Sequence, residues 1–257
     1  MKLIIIILVG LLSAGFAVMK AGQFINRGSW RAPHTAQAFP GQVQRDELSG
    51  SGARTSSAAC MSAEEVSNAL QTFTSEDMSA MDQAEALLRE KSRESEQCRV
   101  EVITALMKAM DRPNLDLTRD KESYYLWLYG AELLGELKAS EALDLLVSHL
   151  HLMDRNFYSS SMAHRPALKG VVKMGPIAIP KLDAVMRHSP DPQPRFDAVY
   201  CIATIGGPSA VHSLREAIDS ESDECVSRAI RVSLESFDAD GKIKDRMDWF
   251  FRLTCKK

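Results

Sequence analysis

From Ser62 to near the C-terminus, apolar side chains return every three or four positions, the spacing that gathers them on one face of an α-helix. The stretches that carry this period predict helices over 62–73, 77–92, 96–110, 121–137, 140–151, 162–173, 176–187, 195–205, 208–219, 223–236 and 242–254. Ser62 followed by Glu65 reads as a capping box, in which side chain and backbone satisfy each other's orphan groups at a helix start. No run alternates with the period of a strand, and Asp240-Gly241, the one hairpin-like pair, is flanked by helical patterns. The fold class expected is all-α.

The pattern also repeats. Ala178, Ile179, Leu182, Val185 and Met186 align with Ala210, Val211, Leu214, Ala217 and Ile218 at an offset of 32 residues. An earlier copy, Ala142, Leu143, Leu146, His149 and Leu150, lies 36 residues upstream of the first set. In the two later copies the pairs Gly175-Pro176 and Gly207-Pro208 stand ahead of the stripe. Glycine ends a helix at a positive φ, and proline suits the next helix's first position, where no N–H is needed. A helix pair of this kind leaves an apolar face that only a neighbouring pair can cover.

On these residues the chain resembles the HEAT-repeat family. The similar segments are Ala131-Glu132-Leu133-Leu134-Gly135-Glu136-Leu137, Gly175–Leu182 and Ile205–Leu214, with Arg195 ahead of the third as that family often has it. The likeness covers about Gln97 to Phe237; the period is shorter than usual for the class, and the first helix pair matches poorly, as a terminal cap would. The resemblance implies a short right-handed α-solenoid of stacked antiparallel helix pairs that binds a protein or peptide partner and catalyses nothing. Some HEAT-like enzymes hold di-iron through His-Glu pairs, but the six histidines here are followed by Thr35, Leu150, Leu152, Arg165, Ser189 and Ser213. Relatives that excise damaged bases need a basic groove, and those that attach bilins have no recognisable motif in this chain.

Ahead of the helices, Leu3–Met19 is apolar apart from Gly10, Ser13 and Gly15, and follows Lys2. That length is at the lower limit for crossing a bilayer. The small residues Gly15 and Ala17 also fit cleavage of a secretory signal after Ala17. Residues 1–19 are therefore expected to be a signal peptide or membrane anchor, 20–61 a flexible linker rich in Gly, Ser, Ala, Gln and Pro, and 62–257 the helical repeat domain. Export to a periplasmic or extracellular space is favoured. Lys20, Arg27 and Arg31 behind the run keep a cytoplasm-facing anchor open.

Composition narrows the chemistry. A net charge of −3 gives no global attraction to nucleic acid, and the membrane is expected to be met only through the N-terminal segment. His149, His151 and Asp154, with His164 downstream, tempt a zinc assignment, but residues two apart point to different helix faces. His149 also fills a slot held by Val185 and Ala217 in the other copies, so it reads as a packing residue. Nucleophile elbow, phosphate loop and dinucleotide fingerprint are all missing. No cofactor or metal is expected. Of the five cysteines, Cys225 and Cys255 begin and end a helical hairpin about Asp240 and are a possible disulfide; Cys60 and Cys98, near the first and third helices, share an end of the bundle; Cys201 sits among apolar residues.

Three groups of residues are candidate partner contacts. Tyr125 and Trp127 belong to an aromatic run, 124–129, that is aromatic on nearly all faces. Phe157, Tyr158, His164 and Arg165 belong to an insertion relative to the other copies, and solenoid insertions map to one face. Asp144, Lys181, His212 and Glu216 fall on exposed slots of the second helices and suit a polar protein surface. The alternative is a small-molecule binder or lyase-like enzyme with a pocket near Trp127 and His164.

Overall fold

The computed structural model describes residues 60–75, 77–112, 115–153 and 164–253, all within one compact unit, Ser56–Lys257. The expected N-terminal segment, the linker up to Ala59, Phe157, Tyr158 and Cys255 lie outside the described residues. Among the described residues the fold is all-α, with no strand and a single isolated bridge between Phe237 and Ile243.

The helix starts follow from their caps. α1 (Ala63–Thr72) opens on the Ser62–Glu65 capping box. α2 (Met78–Lys91) is capped by Asp77, α3 (Glu96–Met110) by Ser95 and α4 (Lys121–Glu136) by Asp120, each accepting backbone N–H groups that the helix itself leaves unpaired. The expected helix 140–151 is shorter: a 3₁₀ turn, Ser140–Ala142, leads into α5 (Leu143–Ser148). α6 (Pro166–Met174) ends at Gly175, whose φ is 72°. A 3₁₀ turn, Gly175–Ala178, then precedes α7 (Ile179–His188). An α-helix running on from Pro176 would need an N–H from residue 180, and Pro180 has none.

α8 (Pro192–Ile205) begins three residues before the expected start. Asp191 caps it, and Pro192 and Pro194 fall in a first turn that needs no donors. α9 (Pro208–Ala217) follows Gly207, at φ 87°, with Pro208 in its first position. α10 (Glu224–Ser236) and α11 (Arg246–Leu253) complete the described helices.

Each helix packs on its neighbour in sequence or on the next but one. α1 meets α2 and α3, α2 meets α4, α4 meets α6, α5 meets α7, α6 meets α8, α7 meets α9, and α8 meets α10. The repeated stripe positions supply the core: Ala142, Leu146, Leu150, Ala178, Leu182, Met186, Ala210, Leu214 and Ala217 are all buried. The α4–α6 contact is the closest. A Cβ on Gly135 would collide with the Gly170 carbonyl, and one on Gly170 with the Ala131 carbonyl. These glycines let two helix backbones touch.

Polar bridges also connect alternate helices. Arg195 on α8 makes a two-pronged hydrogen bond to Glu221 ahead of α10, at 2.9 and 3.0 Å, and donates to the Ser189 carbonyl behind it. Arg187 on α7 reaches Asp183 on its own helix and Glu216 on α9, while the Ser213 hydroxyl donates to Asp183.

Candidate functional site

A broad open concavity lies between α1 and α3. Cys60, just before α1, is disulfide-bonded to Cys98, third residue of α3, so both helices start from one end. Between them runs an open groove of about 1260 Å³. Its apolar lining comes from Val66 and Leu70 of α1, Val100, Ala105 and Ala109 of α3, and Leu126 of α4. Ser67, Gln71, Glu101, Thr104, Lys108 and Arg112 edge it with polar and charged groups of both signs. Val100 is 44% exposed, apolar area that folding leaves uncovered. From Val100 to its end at Met110, α3 extends about 15 Å at 1.5 Å per residue, nearly three helical turns. Apolar floor, polar rim and this length suit an amphipathic helix or extended peptide better than a small enclosed ligand.

Sequence reading did not single out this groove. The available signal was α3 itself: Val100, Ala105 and Ala109 add to a stripe already complete in Val102, Ile103, Leu106 and Met110, more apolar surface than one buried face requires.

The polar slots on the second helices are brought onto neighbouring helices, as expected for that surface. Lys181 Nζ lies 2.5 Å from Asp144 Oδ1, joining α7 to α5. On α9, His212 Nε2 is 3.2 Å from Glu216, which also accepts from Arg187 at 3.0 Å. All four remain substantially exposed. Lys181 and Asp144 form an ion pair and His212 lies against Glu216, which makes the four a solvated polar face.

The aromatic run divides. Tyr124 and Tyr125 are half-buried with rings edge to face at 5.5 Å. Trp127 is wholly buried, its ring 4.9 Å from that of His149, and so faces the core and not a partner. It was a candidate partner contact because the run is aromatic on nearly all faces of that helix; packing of α4 against α6 and α3 fixes which face is inside. Tyr129 is also buried and donates to Asp82 at 2.9 Å; burial, then the Asp82 carboxylate, push its phenol pKa up. His149 is half-buried with Nδ1 2.9 Å from the Leu145 carbonyl, the packing role expected of it.

Arg165 is a correction. It was expected on an exposed insertion, yet it is buried and ion-paired with Asp197 of α8, and it donates to the Leu150 carbonyl at 2.9 Å. Asp197 is fully buried and accepts a second bond from Gln193 at 2.9 Å. Burial pushes its carboxyl upward, opposed by Arg165. A charge this deep requires a charged partner, so Arg165 is committed to the core. Its neighbour His164 is half-buried.

Among the described residues no group of three or more His, Cys, Asp or Glu side chains is placed to hold a metal ion. Nor is any described helix long and apolar enough to cross a membrane. Cys225, first-turn residue of α10, is disulfide-bonded, and its expected partner Cys255 lies outside the described residues. Cys201 is a buried free thiol whose pKa is pushed up by burial. No protein-family model, curated protein or solved structure matches the chain.

Proposed function

We propose that this chain is a HEAT-like α-solenoid scaffold, exported or tethered by its N-terminal segment, that holds a protein or peptide partner. The observation that carries the reading is the α1–α3 groove: uncovered apolar surface, a mixed polar rim and a wall of nearly three helical turns. The solenoid part rests on two supports. Alternate helices stack on one another along the chain, and the repeated stripe positions supply the buried seam. Arg195 and Arg187 bridge successive units in the same manner. The polar face of Asp144, Lys181, His212 and Glu216 offers a second surface, and half-buried Tyr125 a third contact.

Affinity capture of the tagged chain from its native host, run beside a Val100→Glu variant, tests this. A specific protein retained by the natural sequence and lost with the charged groove wall is expected. Capture that is indifferent to the substitution, or a co-purifying small molecule with no protein, counts against the scaffold.

A further inference from the structure

The groove's two walls are joined by the Cys60–Cys98 disulfide, and the surroundings of its two sulfurs differ. Cys98 is 2% exposed, whereas Cys60 is half-buried and lines the groove. An incoming thiolate therefore reaches Cys60 and not Cys98. Attack at Cys60 makes Cys98 the leaving group, and Cys98 is well placed to leave. The Ser95 hydroxyl donates to Cys98 Sγ at 3.0 Å, and Cys98 sits in the first turn of α3, where unpaired N–H groups stabilise negative charge. The nearby carboxylate of Glu96 is engaged by Arg99 at 3.1 Å.

The other described half-cystine has the opposite setting. Cys225 also occupies the first turn of a helix, but its cap is the carboxylate of Asp223, which accepts the Cys225 N–H at 3.0 Å. The capping carboxylate puts a negative charge at the start of that helix, which opposes a departing thiolate in its first turn. Cys201 is sealed in the core and takes no part.

We propose that Cys60–Cys98 is an exchangeable disulfide, opened by a dithiol reductant entering at Cys60, and that its opening releases α1 from α3 and widens the groove. In the first step the reductant thiolate bonds to Cys60 Sγ while the Sγ–Sγ bond breaks, and its electron pair leaves on Cys98 as a thiolate. The reductant's second thiol then displaces Cys60, giving two protein thiols and the oxidised reductant. Two electrons pass from the dithiol to the protein, and its two protons end on the cysteines. α1 responds because its body is lightly held. Within the helix only Val66 and Ala69 are buried and its main packing is on α2 and α3, while buried Phe73 at its C-terminal end stays stacked on Tyr129 of α4 and acts as the pivot.

The test uses the full chain, oxidised, with graded dithiothreitol followed by alkylation and peptide mass spectrometry. Cys60 and Cys98 should become labelled at lower reductant than Cys225, and brief exposure to glutathione should leave the mixed disulfide on Cys60. Hydrogen exchange should then speed up in residues 63–72 while α8 and α10 keep their protection. Ser95→Asp keeps a helix cap but replaces the donor with a carboxylate, and should slow opening roughly threefold or more, since departure depends on leaving-group stability. Labelling of Cys225 first or at equal reductant, glutathione on Cys98, unchanged exchange in α1, or loss of protection throughout the molecule would each overturn the proposal.

Discussion

Arg165 and Asp197 have no counterpart in the hydrophobic pattern. They stand 32 positions apart, Arg165 just ahead of α6 and Asp197 within α8, and only the docking of α6 against α8 brings them together. Local periodicity carries no information about such a pair, which is why Arg165 read as an exposed insertion residue and Asp197 was not singled out. The carboxylate has no access to water, so its charge depends on the guanidinium and on Gln193. Arg165→Met should cost about 3–5 kcal/mol in urea unfolding, the range found when one partner of a buried pair is removed. Adding Asp197→Leu should recover most of that loss, because a buried pair replaced as a whole by apolar groups is often neutral. A double variant no better than the single one would mean that the pair does more than neutralise itself. His149 went the other way. Its slot in the apolar stripe was visible in the repeat, and the ring sits against Trp127 where that slot placed it.

Among the elements, the helices that begin at Ser62, Asp77, Ser95 and Asp120 were legible because cap and period agree. The 3₁₀ turns ahead of α5 and α7 were not, since a stripe of apolar residues looks the same through a tightened turn. Nor does composition show how close two helices come. Gly135 and Gly170 lie inside helices, where glycine costs about 1 kcal/mol relative to alanine. Propensity alone therefore says that Gly170→Ala should raise the melting temperature. The α4–α6 contact says the reverse, because the new methyl would fall on the Ala131 carbonyl and drive two backbones apart. Overpacking of this kind costs about 1–3 kcal/mol, enough to outweigh the propensity gain. A lower melting temperature for Gly170→Ala is expected by calorimetry, and a higher one would show that the helices separate at no cost.

Across the whole molecule the net charge of −3 conceals local order, because a set of the charges pairs across helices. Glu136 meets Arg89 of α2 and Lys173 of α6, and Glu132 holds Lys169 and Lys173, so one ladder ties α2, α4 and α6. This order sets how the fold responds to acid. Hydrogen bonds from the Ser123 side chain and backbone hold Asp120 below the ordinary carboxylate range. Burial works against Glu132 and Asp183, yet Lys169 and Lys173 lower the first, and Arg187 and Ser213 the second. A carboxyl with a depressed folded pKa binds fewer protons folded than unfolded. Its contribution is complete above the unfolded value, roughly 4, and fades as pH falls through the lower folded value. Burial raises Glu85 and Asp197, so they have the opposite sign: they favour the folded state at low pH and lose that contribution as pH rises through their folded values. Among the described residues four carboxyls, Glu65, Asp120, Glu132 and Asp183, are depressed against two raised, so their loss dominates. The melting temperature should hold steady above about pH 5 and drop as pH is taken below about 4. Added salt should shrink the drop, since the ladder is partly exposed and screened. A melting temperature that rises between pH 5 and pH 3 would instead show that Glu85 and Asp197 govern the balance.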